Sequence, residues 1–194
     1  MFTIRDHLCG ALVLALVGTA TYPAIAAPEA APADKPPEVA TRGQREAKDI
    51  SYGDWQKFCF KAGGAPMLCR TTITGTFPTG QVAVRVDLIE REGTPTARLQ
   101  LFVPVGMYLQ RPPKLSVDPG SSFSVPYNWC LTNICIAADV VPSGIVEEME
   151  SGKTMALEVV DSNLLALTTL VPLAQFGTVH KGAPTKMLEQ YVDE

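Results

Sequence analysis

Two runs of alternating residues in the middle of the chain constrain its fold more than any other feature. Val82, Val84, Val86 and Leu88 alternate with Ala83, Arg85, Asp87 and Ile89, and Leu99, Leu101 and Val103 alternate with Arg98, Gln100 and Phe102. A period of two puts one set of side chains on one face of an extended strand, so each run reads as a half-buried β-strand. Gly93, Thr94 and Pro95 lie between the runs and make the pair a hairpin. Further strands are expected over 55–60, 68–74, 107–110, 115–118, 123–127, 134–138, 155–160 and 164–171. Turn residues such as Pro112 and Pro113, Asp118 to Gly120, and Asp161 to Asn163 separate them. This spacing predicts an all-β, mainly antiparallel, β-sandwich-like single domain over residues 50–194. One short helix interrupts it, with Ser143 as its cap, Ile145, Val146 and Met149 on one face, and Gly152 at its end. The stretch 184–192 reads as a second helical turn or a frayed tail.

The N-terminal 26 residues have the three parts of a secretory signal peptide: a charged start with Arg5, an apolar run from Leu8 to Val17, and the small-residue exit Ala24, Ile25, Ala26. The unbroken apolar run is about half of the 20 or so residues a bilayer-spanning helix needs, so no stable membrane insertion is expected after cleavage. Cys9 stands at the start of that run, not behind a cleavage site, and is therefore not a lipoprotein cysteine. Residues 27–49 are Ala, Pro and charge with hardly a large apolar side chain, and are expected to form a disordered linker. Cleavage would remove one base and one acid, leaving the net charge at -4. A mildly acidic chain without a Lys/Arg run carries no footprint for nucleic acid or anionic lipid.

Four cysteines then remain: Cys59, Cys69, Cys130 and Cys135. An even number in an exported chain points to two disulfides, since the compartments outside the cytoplasm are oxidising. Three pairings are open, and the local one, Cys59 with Cys69 and Cys130 with Cys135, is favoured because both spans contain turn residues. The spacings are not those of a zinc ribbon or a redox C-x2-C site, so neither metal nor cofactor is expected.

Catalytic signals are missing from the sequence. His180 is the single histidine behind the signal peptide, in a stretch flanked by Lys181 and Gly182, and is expected at the surface. No G-x-S-x-G elbow accompanies it. Gly75 to Gly80 has the glycine spacing of a phosphate loop, but Gln81 stands where the lysine should be, so it reads as a hairpin turn. Asp54, Asp87, Asp118 and Asp139 offer carboxylates with no pairing legible between them. Trp55 and Trp129, near Cys59 and Cys130, are expected to pack on the disulfides. The segment from Tyr127 to Cys135 mixes Tyr127, Asn128, Trp129, Leu131 and Asn133, an aromatic and amide composition suited to recognition, and is the candidate partner-binding loop.

Several short patterns occur together: Gly53-Asp54-Trp55 with Cys59 four residues after the Trp, then Cys69. Further on come Val103-Pro104-Val105-Gly106 before Leu109, Val117-Asp118 before a Gly turn, Tyr127-x-x-Cys130-x-x-x-x-Cys135, and Leu173-x-x-Phe176. In this order they resemble the invasion associated locus B family of bacterial exported proteins over nearly all of residues 52–180. Gln175 departs from the pattern, where Gly would precede the aromatic. The resemblance implies a compact β-sandwich-like domain, a periplasmic or outer-surface location, a role linked to host-cell entry, and no catalytic residues. Together these readings give an exported, non-catalytic envelope interaction protein whose partner is an unknown protein or envelope component. The alternative is a periplasmic small-ligand carrier or an unrecognised hydrolase on the same scaffold.

Overall fold

The computed structural model describes residues 39–118 and 120–190. The expected signal peptide and the first part of the expected linker lie outside them. The described chain runs β1 (Gly43–Glu46), β2 (Ser51–Tyr52), β3 (Gln56–Ala62), β4 (Leu68–Thr76), β5 (Val82–Arg91), β6 (Ala97–Pro104) and β7 (Lys114–Val117). It continues with β8 (Ser122–Ser124), β9 (Tyr127–Cys130), β10 (Ile134–Val141), α1 (Ser143–Ser151), β11 (Thr154–Val160), β12 (Leu165–Pro172), α2 (Phe176–Lys181) and β13 (Lys186–Gln190). The strands form two sheets. One is ordered β1-β12-β11-β7-β8, and the other β13-β3-β4-β5-β6-β10-β9 with β2 added beside β4.

The two sheets share one core. Val86, Leu88, Leu99 and Leu101, from the expected hairpin, are fully buried against Leu115, Leu157, Met155 and Val171 of the other sheet. Their alternation is visible in β6, where Leu99, Leu101 and Val103 point inward while Arg98, Gln100 and Phe102 point out. The fold is therefore an all-β sandwich. It is mixed rather than purely antiparallel, because β1 pairs with β12 and β13 with β3 in parallel. Gly75 is required where β2 crosses β4: a Cβ there would lie 2.7 Å from both Ile50 Cγ2 and Tyr52 Cε1.

Several expectations are corrected. Residues 43–46, placed in the linker, form edge strand β1, extended by Arg42 N–H to Leu164 O and Ala47 N–H to Thr168 O at 2.8 Å each. An edge strand is held by its backbone groups, so a composition without apolar side chains does not forbid it. Residues 186–190 pair with β3 instead of turning helically, for the same reason. Residues 107–110 form a turn with one isolated bridge from Met107 to Asp161, since Gly106 and Pro112 bracket a segment too short to align. Among the described residues there are two helices, not one. α1 begins one residue earlier than expected, with Pro142 as the cap residue, so Ser143 sits inside the first turn and makes no capping bond.

The two disulfides join residues already paired across neighbouring antiparallel strands. Cys59 on β3 faces Cys69 on β4 with Cα atoms 4.1 Å apart, and Cys130 on β9 faces Cys135 on β10 at 3.9 Å. Loops this short give about 2–3 kcal/mol each in the chain-entropy treatment.

Candidate functional site

The β9–β10 hairpin is the expected binding loop, and its side chains divide sharply. The residues paired on β10 fix the facing: Trp129 stands opposite Ile136 and Tyr127 opposite Ala137, with a register irregularity between them. Tyr127 turns inward against the core, and burial pushes its phenol well above the usual range. Its hydroxyl is buried without a hydrogen-bond partner. Trp129 and Leu131, by contrast, are 48% and 58% exposed, with Asn128, Thr132 and Asn133 exposed beside them. The bend is closed by the disulfide and by Leu131 N–H to Ile134 O at 2.7 Å. Tyr127 is thus a core residue, while Asn128, Trp129, Leu131 and Asn133 remain available at the surface. The expectation that the tryptophans pack on the disulfides is corrected. Trp129 stands in solvent, and Trp55 is buried edge-on against Phe176, ring centroids 4.8 Å apart, with its indole N–H on Pro172 O.

A second cluster surrounds His180, which the sequence placed at the surface. Its side chain is only 11% exposed. α2 carries it: Phe176 and Val179 bury one face of that short helix, with Leu173 just before it, and fix where His180 points. The imidazole lies nearly parallel to the Phe176 ring, and its nitrogens sit 2.8 Å from Glu150 Oε1 of α1 and 2.8 Å from Glu90 Oε2 of β5. Lys181 Nζ is 2.7 Å from the other Glu150 oxygen, and Lys57 Nζ donates to the carbonyls of His180 and Gly182. The Glu90 bond first, with Glu150 adding, raises the His180 pKa against the opposing effect of burial. His180 lowers that of Glu90, and Lys181 first lowers that of Glu150. Both ring nitrogens are taken up by carboxylates, so neither is free to draw a proton from a nucleophile. The arrangement clamps α1, α2 and β5 together. The spacing of Leu173, Phe176 and Val179 was the sequence signal that could have revealed it.

The other carboxylates also serve the scaffold. Asp118, expected to bond its own turn, has a left-handed backbone and accepts instead from the N–H groups of Lys153 and Thr154 and from the Thr154 hydroxyl, which hold its carboxyl below the usual range. Asp161 accepts from Leu165 N–H and Asn163 N–H in its turn. Asp87 and Asp139 lie on opposite faces of the larger sheet, so they do not form a pair. Among the described residues no group of three or more His, Cys, Asp or Glu is arranged to hold a metal ion. No helix among them is long and apolar enough to cross a membrane.

Two partly enclosed cavities and one open cleft remain among the described residues. One, of about 80 Å³, is an apolar gap between the sheets near Met107 and Leu167. The other, of about 250 Å³, lies beside Tyr52, Asp54 and Trp55, where Gln175 donates to Asp54 at 3.1 Å. Both fall below the roughly 300–1,000 Å³ of ordinary small-molecule sites, whereas the open cleft of about 490 Å³ beside the His180 cluster, lined by Glu150, Ala174, Gly177, Thr178, Lys181 and Gly182, reaches that range.

Fold and site together define a two-disulfide β-sandwich with an exposed aromatic hairpin and its histidine engaged in structure. Residues 55–184 match the family described as invasion associated locus B (IalB) protein, and the chain belongs to that family. Among solved structures it is similar to invasion associated protein B from Bartonella henselae, at 22% identity and a TM-score of 0.59, covering 67% of this chain and 90% of that one. That likeness concerns the fold. No curated protein matches the chain.

Proposed function

We propose that the protein is exported, is not an enzyme, and works by holding a macromolecular partner in the bacterial envelope or at its outer surface through the β9–β10 hairpin. One observation carries the reading. Trp129 and Leu131 are held in solvent at 48% and 58% exposure on a hairpin closed by a disulfide. Large apolar side chains kept in water on a disulfide-closed loop lose less freedom on binding than they would on a mobile one. Two disulfides fit an oxidising compartment outside the cytoplasm. Membership of an invasion-associated family supports a role in contact with host or envelope surfaces. The engagement of both His180 nitrogens by carboxylates disfavours a hydrolase that would use this histidine as its base.

The test is the triple variant Asn128→Ala, Leu131→Ala, Asn133→Ala, compared with wild type in crosslinking to the partner identified in cells. Surface changes of this kind cost under about 0.5 kcal/mol each, so folding should be kept. Loss of the crosslink at unchanged melting temperature is the expected result. An undiminished crosslink would make the hairpin purely structural.

A further inference from the structure

Strand register brings together a surface that no single segment of sequence displays. On the outer face of the larger sheet, Lys186, Phe58, Arg70, Ile89, Arg98 and Val140 lie side by side in one row across six strands. The next row is Gln56, Thr72, Asp87, Gln100 and Ala138, and the one after it Thr74, Arg85, Phe102, Ile136 and Trp129. On the far side Leu188, Phe60, Leu68 and Arg91 complete the face. Trp129 and Val140 are both 48% exposed, Leu188 43% and Phe60 40%. The outer face of the smaller sheet differs in charge: Glu46, Thr168, Glu158, Lys114 and Ser124 form its central row, with Leu170, 50% exposed, in the row beside it and no arginine in either.

We infer that the outer face of the larger sheet, continuous with Trp129 of the hairpin, docks a protein whose contacting surface is acidic with apolar or aromatic residues at its centre. The inference rests on the reading of the chain as a binding protein, and adds the partner's chemistry. Charge is the first argument. The face carries Arg70, Arg85, Arg91, Arg98 and Lys186 against one acid, Asp87. It is therefore four charges positive in a chain of net charge -4, so the remainder is strongly negative. A surface of opposite sign is what such a face attracts and orients.

The kind of cation is the second argument. Arg and Lys are equally numerous in the chain, eight of each, yet this face holds four Arg and one Lys, with no Glu and its single Asp 1% exposed. Enrichment in Arg and aromatics with depletion of Lys, Glu and Asp is the composition of protein–protein contacts. Preorganisation is the third. Asp87 Oδ1 takes the Thr72 hydroxyl and lies 3.3 Å from Arg85 Nε, which sets the Arg85 guanidinium 3.6 Å above the Phe102 ring. Arg70 lies 5.9 Å from the Phe58 ring centroid, and 3.9 Å from Asp87 Oδ2. A guanidinium laid flat on an aromatic ring keeps its edge for carboxylates and loses little freedom on binding. Size agrees: six strands at about 4.8 Å and four rows at about 6.8 Å give a footprint of roughly 500 Å², comparable with the ~800 Å² of accessible surface a standard interface takes from each side.

The test uses the full chain and a defined probe, the random copolymer of glutamate and tyrosine, with polyglutamate, alginate and phosphatidylglycerol vesicles as comparisons. Binding to the copolymer is expected to exceed binding to each comparison and to weaken as salt rises from 50 to 300 mM. The double variant Arg91→Gln, Arg98→Gln spares the partners of Asp87 and should weaken it at least tenfold. Trp129→Ser should weaken it severalfold, and Lys114→Gln on the other sheet should leave it unchanged. Melting temperatures of the variants within 2 °C of wild type ensure that folding is not what is read. Failure of the copolymer to bind, equal binding by the double variant, or tighter binding of alginate or vesicles would overturn the inference. The hairpin crosslink would still decide the broader reading separately.

Discussion

Replacing His180 by Gln should destabilise the domain by about 2–3 kcal/mol near pH 6. The magnitude follows from the two arms of the clamp and from what covers them. The Glu150 carboxylate is 15% exposed and the imidazole 11%, so their 2.8 Å charge-assisted bond lies in the range of about 1.5–3 kcal/mol and is taken near 1.5–2. Glu90 is 36% exposed, and water screens its arm to less than about 1 kcal/mol. Loss of the ring stacked on Phe176 adds about 0.5 kcal/mol. For a domain of this size each kcal/mol moves the melting temperature by about 2–4 °C, so the variant should melt roughly 5–10 °C lower.

The pH dependence has a definite sign. His180 is raised above its ordinary 6.5, so its contribution is fully present below that value and is lost as pH climbs through the folded pKa. Glu90 and Glu150 are lowered from 4.5, so theirs is present above that value and disappears only as pH falls through their lowered pKa. The clamp is therefore strongest between about pH 4.5 and 6.5. Thermal unfolding followed by circular dichroism, with disulfides intact, should show wild type losing stability from pH 6 to 9 while the difference from His180→Gln narrows. The other histidine of the chain, His7, falls in the expected signal peptide, so the transition has one owner. A double-mutant cycle with Glu150→Gln should give a coupling above about 0.5 kcal/mol. A variant melting within 1 °C of wild type at pH 6, or a flat wild-type profile between pH 6 and 9, refutes the reasoning.

Tyr127→Phe removes a buried hydroxyl with no partner, and should leave the melting temperature unchanged or raise it by the equivalent of up to about 1 kcal/mol; a fall of that size would mean the hydroxyl is satisfied. Gly75→Ala should cost about 1–3 kcal/mol in chemical denaturation, because its methyl group would press on Ile50 and Tyr52; a neutral result would mean β2 moves freely. Trypsin should cut the bond after Arg45 at least tenfold more slowly in the folded protein than in the reduced, denatured chain, since β1 is hydrogen-bonded to β12; equal rates would count against that pairing.

What could be read from sequence was whatever depends on neighbours along the chain. The alternation in β5 and β6 reports burial directly, because Val86, Leu88, Leu99 and Leu101 reach the core by period alone. The turn between Cys130 and Cys135 was legible because the two cysteines lie within six residues, but the single strand expected over 123–127 is two, Ser122–Ser124 and Tyr127–Cys130. The sequence could not reveal contacts made by backbone or by distant partners. β1 is polar and charged and β13 is exposed from Lys186 to Glu189, so neither buries a face, and both are strands because β12 and β3 offer them an edge. His180 sits beside a lysine and near a glycine, the marks of an exposed segment. Its burial comes from Glu90, ninety residues away, and Glu150, thirty away.

The outer face of the larger sheet was hidden in the same way, although the alternation marks its β5 and β6 residues one by one. Alternation labels Arg85, Asp87, Arg98, Gln100 and Phe102 as pointing away from the core, and outward-facing positions read as solvated by default. Whether they are solvent or surface with a purpose depends on register, which alternation does not give. Arg85 rests on Phe102 because β5 and β6 pair those two residues; a register slip of two positions would set it opposite Gln100 or Pro104 and leave the ring bare. Asp87 is 1% exposed on what should be a wet face, so its neighbours Arg70, Arg85 and Thr72 are packed closely enough to exclude water without any core beneath them. The central row of the smaller sheet, built of Thr, Ser, Glu and Lys, has no such packing. Because a sandwich scaffold fixes no function, this ordered Arg and aromatic layer and the exposed hairpin beside it are where one belongs in this chain.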